Sequence, residues 1–478
     1  MSITYLYAFV VGIVMSAIVL IGCMFGKRSL VLTGMIFSAI VGSPVITFTR
    51  GAAGAIYASD MVSFVLLICW WFPSTKSFIC ELTPRWYKPF FRLMMLAVVS
   101  VILVGPLFSG GIAGAGLAEN VSVSIRGIPL PILMAGFRFV RIILYVVYFV
   151  YAAHMIMDEK TFRFVCKLIT VGVVILAVCQ ILNFFGVAEL GLASREVEWQ
   201  HSAILGHSKA AGGRLYLVGI FVTLILIYGR WSAPIYFVFL ATIGMGLLFS
   251  GSRAAFVAML VGVFILAMRA RFLGKMLVLL LAALVPLGFY VLARLDPERM
   301  RIESFLRVIT DPTTNPRWIV WGWIIPYIAT HPVIWLSGVG FSNFRYALVT
   351  EYIGAQAEHA HNDFLTCLTE MGFLGLAFFI SYIYRLGKSV FSRVRHTTGE
   401  PHWQAICLSV VFAVYLVSSL FESTLYFAVT TTSMQRIAIV LFGAATSLWV
   451  QQDYEAAAAD EMGYELLDAD SVFEDTYA

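Results

Sequence analysis

Two histidines, an asparagine and an aspartate stand together in the stretch 358–375, EHAHNDFLTCLTEMGFLG, directly before an apolar run long enough to enter a membrane. A helix starting near Asn362 leaves His359 and His361 at its polar mouth and puts Glu370 about two turns deeper, by the 3.6-residue period. General base catalysis needs a group that titrates near ambient pH, and histidine does so without special tuning. Two other readings of the same residues stay open. His359, His361 and Asp363 alternate, so an extended backbone could aim all three at a metal, although no fourth ligand is evident and a helix from Asn362 breaks the alternation. The remaining reading is an interfacial histidine that hydrogen-bonds and caps the helix.

A second group of residues suits anions. Arg253 follows Ser250-Gly251-Ser252 at the start of one apolar span, and Arg214 follows Gly212-Gly213 at the start of another. Arg138 and Arg141 lie in the first half of the span after Pro131. Charges inside apolar spans are costly and mark a site or a polar cavity. Four arginines from three helices at one depth would bind phosphate well, because a guanidinium grips two oxygens and stays charged. The alternative is snorkelling to lipid headgroups, which suits Arg138 and Arg141 better than arginines placed after small-residue turns. The sequence has no Gly-rich nucleotide loop, nucleophile elbow or zinc-protease motif. A substrate would therefore arrive already activated, with no cofactor and no nucleic acid expected.

What must position these groups is a membrane bundle. The chain is 60% hydrophobic and 12% charged, with a mean hydropathy of +0.89, against about 25% charged residues in ordinary soluble domains. Spanning runs are predicted at 4–25, 30–48, 56–73, 90–108, 131–153, 164–185, 211–228, 232–250, 254–268, 274–294, 363–384, 402–421 and 430–450. The fold class is all-α, a polytopic bundle of about 12–13 transmembrane helices. The start, MSITYLYAFV, lacks a basic n-region and reads as a first membrane helix. Lys27, Arg28, Lys76, Lys160, Arg163, Arg230, Arg269, Arg385, Lys388, Arg393 and Arg395 fall at alternate connections, which makes those connections cytoplasmic. The opposite, outer side then receives 109–130, 186–210, the turn at Gly251-Ser252-Arg253 and the long segment 295–361, together with His201, His207, His331, His359 and His361.

The domain expectation is transmembrane helices over 1–294, a periplasmic lid over 295–362, transmembrane helices over 363–450 and an acidic, poorly ordered cytoplasmic tail over 451–478. In the lid, 298–309 has helical spacing, and Asn315-Pro316 is a cap and first-turn proline opening a helix to about Ala329. His331-Pro332 stops that helix and Gly338-Val339-Gly340 makes a tight turn. The tail carries nine acids and no basic residue, which suits a solvated extension or a partner-docking element. The seven cysteines show no paired spacing, so no disulfide framework is expected.

Several of these motifs occur in a familiar order: Gly251-Ser252-Arg253-Ala254-Ala255, Arg317-Trp318-x2-Trp321, His331-Pro332, Gly338-x-Gly340-x2-Asn343-Phe344, His359-Ala360-His361-Asn362-Asp363-Phe364-Leu365 and Glu370-x-Gly372-x2-Gly375. Together, over roughly 206–386, they resemble the O-antigen ligase/polymerase superfamily. The resemblance implies a metal-independent glycosyltransferase of the bacterial inner membrane that takes a glycan from undecaprenyl diphosphate on the periplasmic side. Ligases of that family pass it to lipid A–core, and polymerases pass it to the next lipid-linked repeat. It further implies that Arg253 and Arg214 bind the diphosphate and that His361 acts on the acceptor hydroxyl; Arg138 and Arg141, from the arginine pattern above, are expected to join that diphosphate site. His359, Asn362, Asp363, Arg317, Trp321 and Glu370 are expected to support the site or face the acceptor. Family members usually carry an asparagine-rich turn where this chain reads Gly206-His207-Ser208-Lys209. The leading expectation is a polymerase of surface polysaccharide or exopolysaccharide, with a ligase next. Partners would be the lipid-linked glycan, an acceptor glycan or lipid A–core, membrane lipids and other polysaccharide-assembly proteins. A transporter or flippase for an anionic lipid or sugar would use the same arginines without needing a histidine at the mouth.

Overall fold

The structure is a computed structural model and describes residues 3–41, 44–47, 55–76, 87–104, 124–125, 128–155, 157–185, 187, 209–227, 234–250, 252–269, 316–341, 344, 360–420 and 432–474. The span expected at 274–294 and the helix expected at 298–309 lie outside the described residues. The chain is a multi-pass membrane protein. Its helices run in order α1 (Ile3–Met24), α2 (Arg28–Ile40), α3 (Ala58–Cys69), the single turn α4 (Pro73–Lys76) and α5 (Tyr87–Val99), which continues as a π-helical turn, Ser100–Val104. There follow α6 (Leu130–His154), α7 (Glu159–Phe184), α8 (Lys209–Ile227), α9 (Pro234–Ser250) and α10 (Arg253–Arg269). The remainder are α11 (Pro316–Thr330), α12 (Pro332–Ser337), α13 (Asp363–His396), α14 (Gly399–Ser419) and α15 (Thr432–Glu474). Five of the described helices are long and apolar enough to cross a membrane unaided, and shorter apolar helices stand beside them. Phe9, Ile13 and Ile21 on α1, Leu260 and Phe264 on α10, and Phe373 and Ile380 on α13 are exposed. Water would penalise such surfaces, and a bilayer accepts them.

Hydropathy located the spans but not every boundary. The run expected to span 30–48 ends as a helix at Ile40, and β1 (Pro44–Thr47) pairs antiparallel with β2 (Ala55–Tyr57). Proline and β-branched residues in Pro44-Val45-Ile46-Thr47 favour that extended backbone. A second small ribbon, β3 (Ser124–Ile125) with β4 (Ile128–Pro129), precedes α6. The acidic segment expected to be poorly ordered continues α15 as helix to Glu474, in keeping with its run of alanines, glutamates and leucines.

The helix ends sort into two sets. At one, Ser74 Oγ donates to Cys23 O at 2.5 Å, Gln404 Nε2 donates to Glu159 Oε1 at 2.6 Å, Arg163 pairs with Glu159 and Glu400, and Arg393 pairs with Asp453 at 2.5 Å. This is the end that gathers the basic connections. At the other, Gln180 Nε2 donates to Phe249 O at 3.2 Å and Asn362 Nδ2 donates to Leu420 O at 3.1 Å. His361 belongs to this second end, here called the mouth.

A crossing of two backbones fixes the mouth. Gly372 breaks α13 with φ +67°, and Gly338, just after α12, has φ +66°. The break removes the helical donors that Thr369 O and Glu370 O would otherwise receive, and in hydrocarbon such carbonyls need another partner. Val339 N–H and Gly340 N–H supply it, each at 2.9 Å. Phe341 N–H then donates to Ser100 Oγ at 2.9 Å, tying the turn to the π-helical end of α5. Helices α11 and α12 share a small core with the first turns of α13 through Val320, Ile324, Ile334, Val339 and Ala360. His331, between them, stacks on Tyr327 at 4.2 Å and hydrogen-bonds its carbonyl at 2.8 Å. That accounts for it as a packed connector.

Candidate functional site at the bundle mouth

The first turn of α13 is held from three directions. Asn362 is its N-cap: Oδ1 accepts from Leu365 N–H at 2.9 Å, while Thr366 Oγ1 donates to Asn362 O at 2.7 Å. A cap of this type is typically worth about 1 kcal/mol. The Asn362 amide also reaches Leu420 O, so the same side chain ties α13 to the end of α14. One residue earlier, Trp321 Nε1 donates to Ala360 O at 2.6 Å. Between these two tethers His361 takes φ +51°, the one non-glycine residue at positive φ among the described residues. That conformation is unfavourable for a residue with a Cβ and persists only where its surroundings impose it. Arg317 lies one turn before Trp321 on α11, on the same side of that helix.

Beneath His361 the helix buries polar groups along one face. Asp363, Thr366 and Glu370 are at most 2% exposed, and their spacing of three and four residues aligns them. Asp363 is turned inside the bundle, whereas His361 keeps partial exposure at the mouth, so the two side chains meet different surroundings. His359 lies outside the described residues. Tyr382 of α13, Tyr415 of α14 and Arg214 of α8 are buried as well. The bundle thus encloses a carboxylate on α13 and a guanidinium on α8, the latter 1% exposed.

Small residues bring the arginine-bearing helix starts together. A Cβ on Gly213 would lie 2.6 Å from Ser252 Cβ and 3.0 Å from Ala255 Cβ, so α8 touches the first turn of α10 there. Arg214 and Arg253 therefore enter their helices side by side. Ser252 Oγ accepts weakly from Ala255 N–H at 3.4 Å, in the manner of an N-cap. Arg253 opens α10 and Arg138 lies on α6; their side chains lie outside the described residues.

Arg141 does not snorkel. It is 5% exposed and pairs with Asp60 at 3.7 Å, while Arg436 of α15 donates to the other oxygen of Asp60 at 2.5 Å. Its partners were not among the residues picked from the sequence. Asp60 and Arg436 nevertheless carried a usable signal, because each is an ionisable residue inside an apolar run. Tyr57 N–H donates to Asp60 Oδ2 at 3.0 Å, and the Arg436 guanidinium lies 4.7 Å from the Tyr145 ring centre and 5.3 Å from that of Tyr148.

The sequence pattern of the O-antigen ligase family matches residues 237–380, which include α10, α11, α12 and the first half of α13. A candidate polysaccharide ligase of Rickettsia prowazekii is 28% identical over 153 residues, 30% of this chain and 36% of the relative. One of Rickettsia typhi is 26% identical over 191 residues, 37% of this chain and 46% of the relative. A third, of Rickettsia bellii, is 27% identical over 179 residues, 35% of this chain and 43% of the relative. The chain thus spans less than half the length of each of these relatives. The segment from α10 to the first half of α13, with the strained His361, is thus similar in sequence to the O-antigen ligase family.

Proposed function

We propose that the protein transfers a glycan from a polyprenyl diphosphate, undecaprenyl diphosphate in bacteria, to a hydroxyl acceptor at the periplasmic face of the inner membrane. The observation that carries this reading is His361, held at φ +51° between the Trp321–Ala360 bond and the Asn362 cap. Its imidazole would take the proton of the acceptor hydroxyl as that oxygen attacks the anomeric carbon. The bond from that carbon to the diphosphate oxygen breaks, and the diphosphate leaves with the electron pair. Arg214 and Arg253 would offset the charge that grows on it, which is where fixed cations help most. Asn362 and Trp321 position the histidine, Arg317 and His359 would face the acceptor, and Asp363 and Glu370, buried below, would support the helix that carries the site. The basic end of the bundle would face the cytoplasm. Organisation into helices 1–294, lid 295–362, helices 363–450 and tail 451–478 belongs to the same proposal.

The relatives are described as ligases, which favours ligation to a lipid-borne acceptor such as lipid A–core over elongation of the glycan. The glycan profile of a deletion mutant separates the two. Core without repeats, beside intact lipid-linked polymer, is the expected result. Single repeats attached to core, with long chains lost, would indicate a polymerase. An unchanged profile, with no transfer by purified protein given lipid-linked donor and acceptor, would leave the transporter reading.

A substitution series tests the arginines. Arg253→Lys and Arg214→Lys are expected to lose about tenfold or more in donor affinity, because lysine keeps the charge but loses the two-pronged grip. Near-normal transfer by both lysine variants, at normal expression, would move the anion site elsewhere.

A further inference from the structure

The cluster of Asp60, Arg141 and Arg436 is not used in the transfer step above. It joins α3, α6 and α15 near the mouth, and its formal charge is positive, with two guanidiniums around one carboxylate. Arg436 is fully buried and spends only Nη2 on Asp60; its Nε and Nη1 meet no acceptor among the described residues. The guanidinium also lies over the rings of Tyr145 and Tyr148. Buried donors of a charged group are almost always satisfied in a working protein. The cluster also lies near lipid: Val140, next to Arg141 on α6, is 52% exposed, and a Cβ on Gly136 would meet nothing within 4 Å.

We infer that Asp60, Arg141 and Arg436 form a second anion site, which takes a phosphate group carried by a membrane lipid. Asp60 holds the two guanidiniums in place while the site is empty, and its negative charge weakens the ligand's hold. A structural ion pair and an anion site differ in the sign of one effect. Removing the carboxylate from a purely structural pair leaves phosphate affinity unchanged or lower. Removing it from an anion site raises that affinity, because a competing negative charge has gone. The inference rests on the reading above only where the lipid is the glycan donor itself.

The test uses purified full-length protein in detergent, titrated separately with farnesyl diphosphate, phosphatidylglycerol and inorganic diphosphate, with binding read by thermal stabilisation. Asp60→Asn is expected to melt lower without ligand yet bind at least one lipid probe about tenfold more tightly. Arg436→Gln is expected to bind that probe on the order of tenfold to a hundredfold more weakly, as for loss of a charge-assisted bond. Should Arg436→Gln fail to fold, the Asp60→Asn/Arg436→Gln double variant removes both charges together, which buried pairs tolerate better, and should show the same weak binding. Wild-type affinity in the double variant for every probe, or unchanged affinity in Asp60→Asn, overturns the inference. So does binding of inorganic diphosphate alone. Farnesyl diphosphate binding that needs Arg214 but not Arg436 would leave the donor reading standing and sink this one. Phosphatidylglycerol binding that needs Arg436, with none of farnesyl diphosphate, would do the reverse.

Discussion

Replacing His361 with alanine is expected to lower glycan transfer by about 10²–10⁴-fold, the usual worth of a general base, while leaving donor affinity within about twofold. In the proposed mechanism arginines on α8 and α10 hold the donor, so losing the imidazole would remove a proton acceptor and no phosphate contact. Backbone strain adds a second readout. At φ +51° alanine keeps the Cβ that is disfavoured there, whereas glycine and asparagine enter that region at lower cost. His361→Gly and His361→Asn should therefore melt at or above the wild-type temperature and still lack transfer. Stability and activity would then move in opposite directions at one residue, as expected where strain serves a site. Turnover by His361→Asn within tenfold of wild type would remove the base from the mechanism. Loss of donor affinity instead of turnover would make His361 a binding residue.

The distribution of polarity made the bundle legible and left its junctions out of view. Long apolar runs must become helices in a bilayer, because no other local structure satisfies each backbone group within its own segment. For that reason α1, α6, α7, α9 and α14 lie close to where hydropathy puts them. The helix start near Asn362 and the proline opening α11 were equally readable, since both signals act within one turn of chain, although Asn362 itself proves to be the cap. The meeting of Gly213 with Ser252 was half visible: each small-residue turn stood out, but nothing in the sequence said they touch. The Asp60–Arg141–Arg436 cluster spans 376 residues between its farthest members, and no local pattern reports a pairing of that separation. Hydropathy windows also averaged Asp60 and Arg436 away within apolar surroundings. A rule that flags every ionisable residue inside a span, applied evenly, would have named both. Arg141 stood out by that rule and was grouped with Arg138, Arg214 and Arg253 as an anion site, with snorkelling as the alternative; its pairing with Asp60 is not a local pattern.

Alanine at Gly338 or at Gly372 is expected to be among the most damaging single substitutions in the described part of the chain. A Cβ on Gly338 would lie 2.3 Å from the carbonyl carbon and oxygen of Glu370, and one on Gly372 would lie 2.4 Å from Leu336 O. Both contacts are with backbone, which cannot swing aside as a side chain could. The turn must move away, and Val339 and Gly340 then leave the carbonyls of Thr369 and Glu370 without donors inside the bundle. Orphaned buried groups cost about 1–3 kcal/mol each, and a Cβ at positive φ adds about 1–2 kcal/mol. The total is on the order of 4 kcal/mol or more for either variant. Gly399 supplies the control: it has φ +65° but open space around its Cβ position, so Gly399→Ala should show the conformational cost alone, about 1 kcal/mol. Because Gly338 and Gly372 serve one crossing, the double variant should cost little more than either single one. Thermal melting of the four purified variants decides it. Single variants that melt with Gly399→Ala would mean the crossing yields at low cost. Fully additive effects would mean the two glycines act apart, and the turn would then not be what holds the helix break beneath His361.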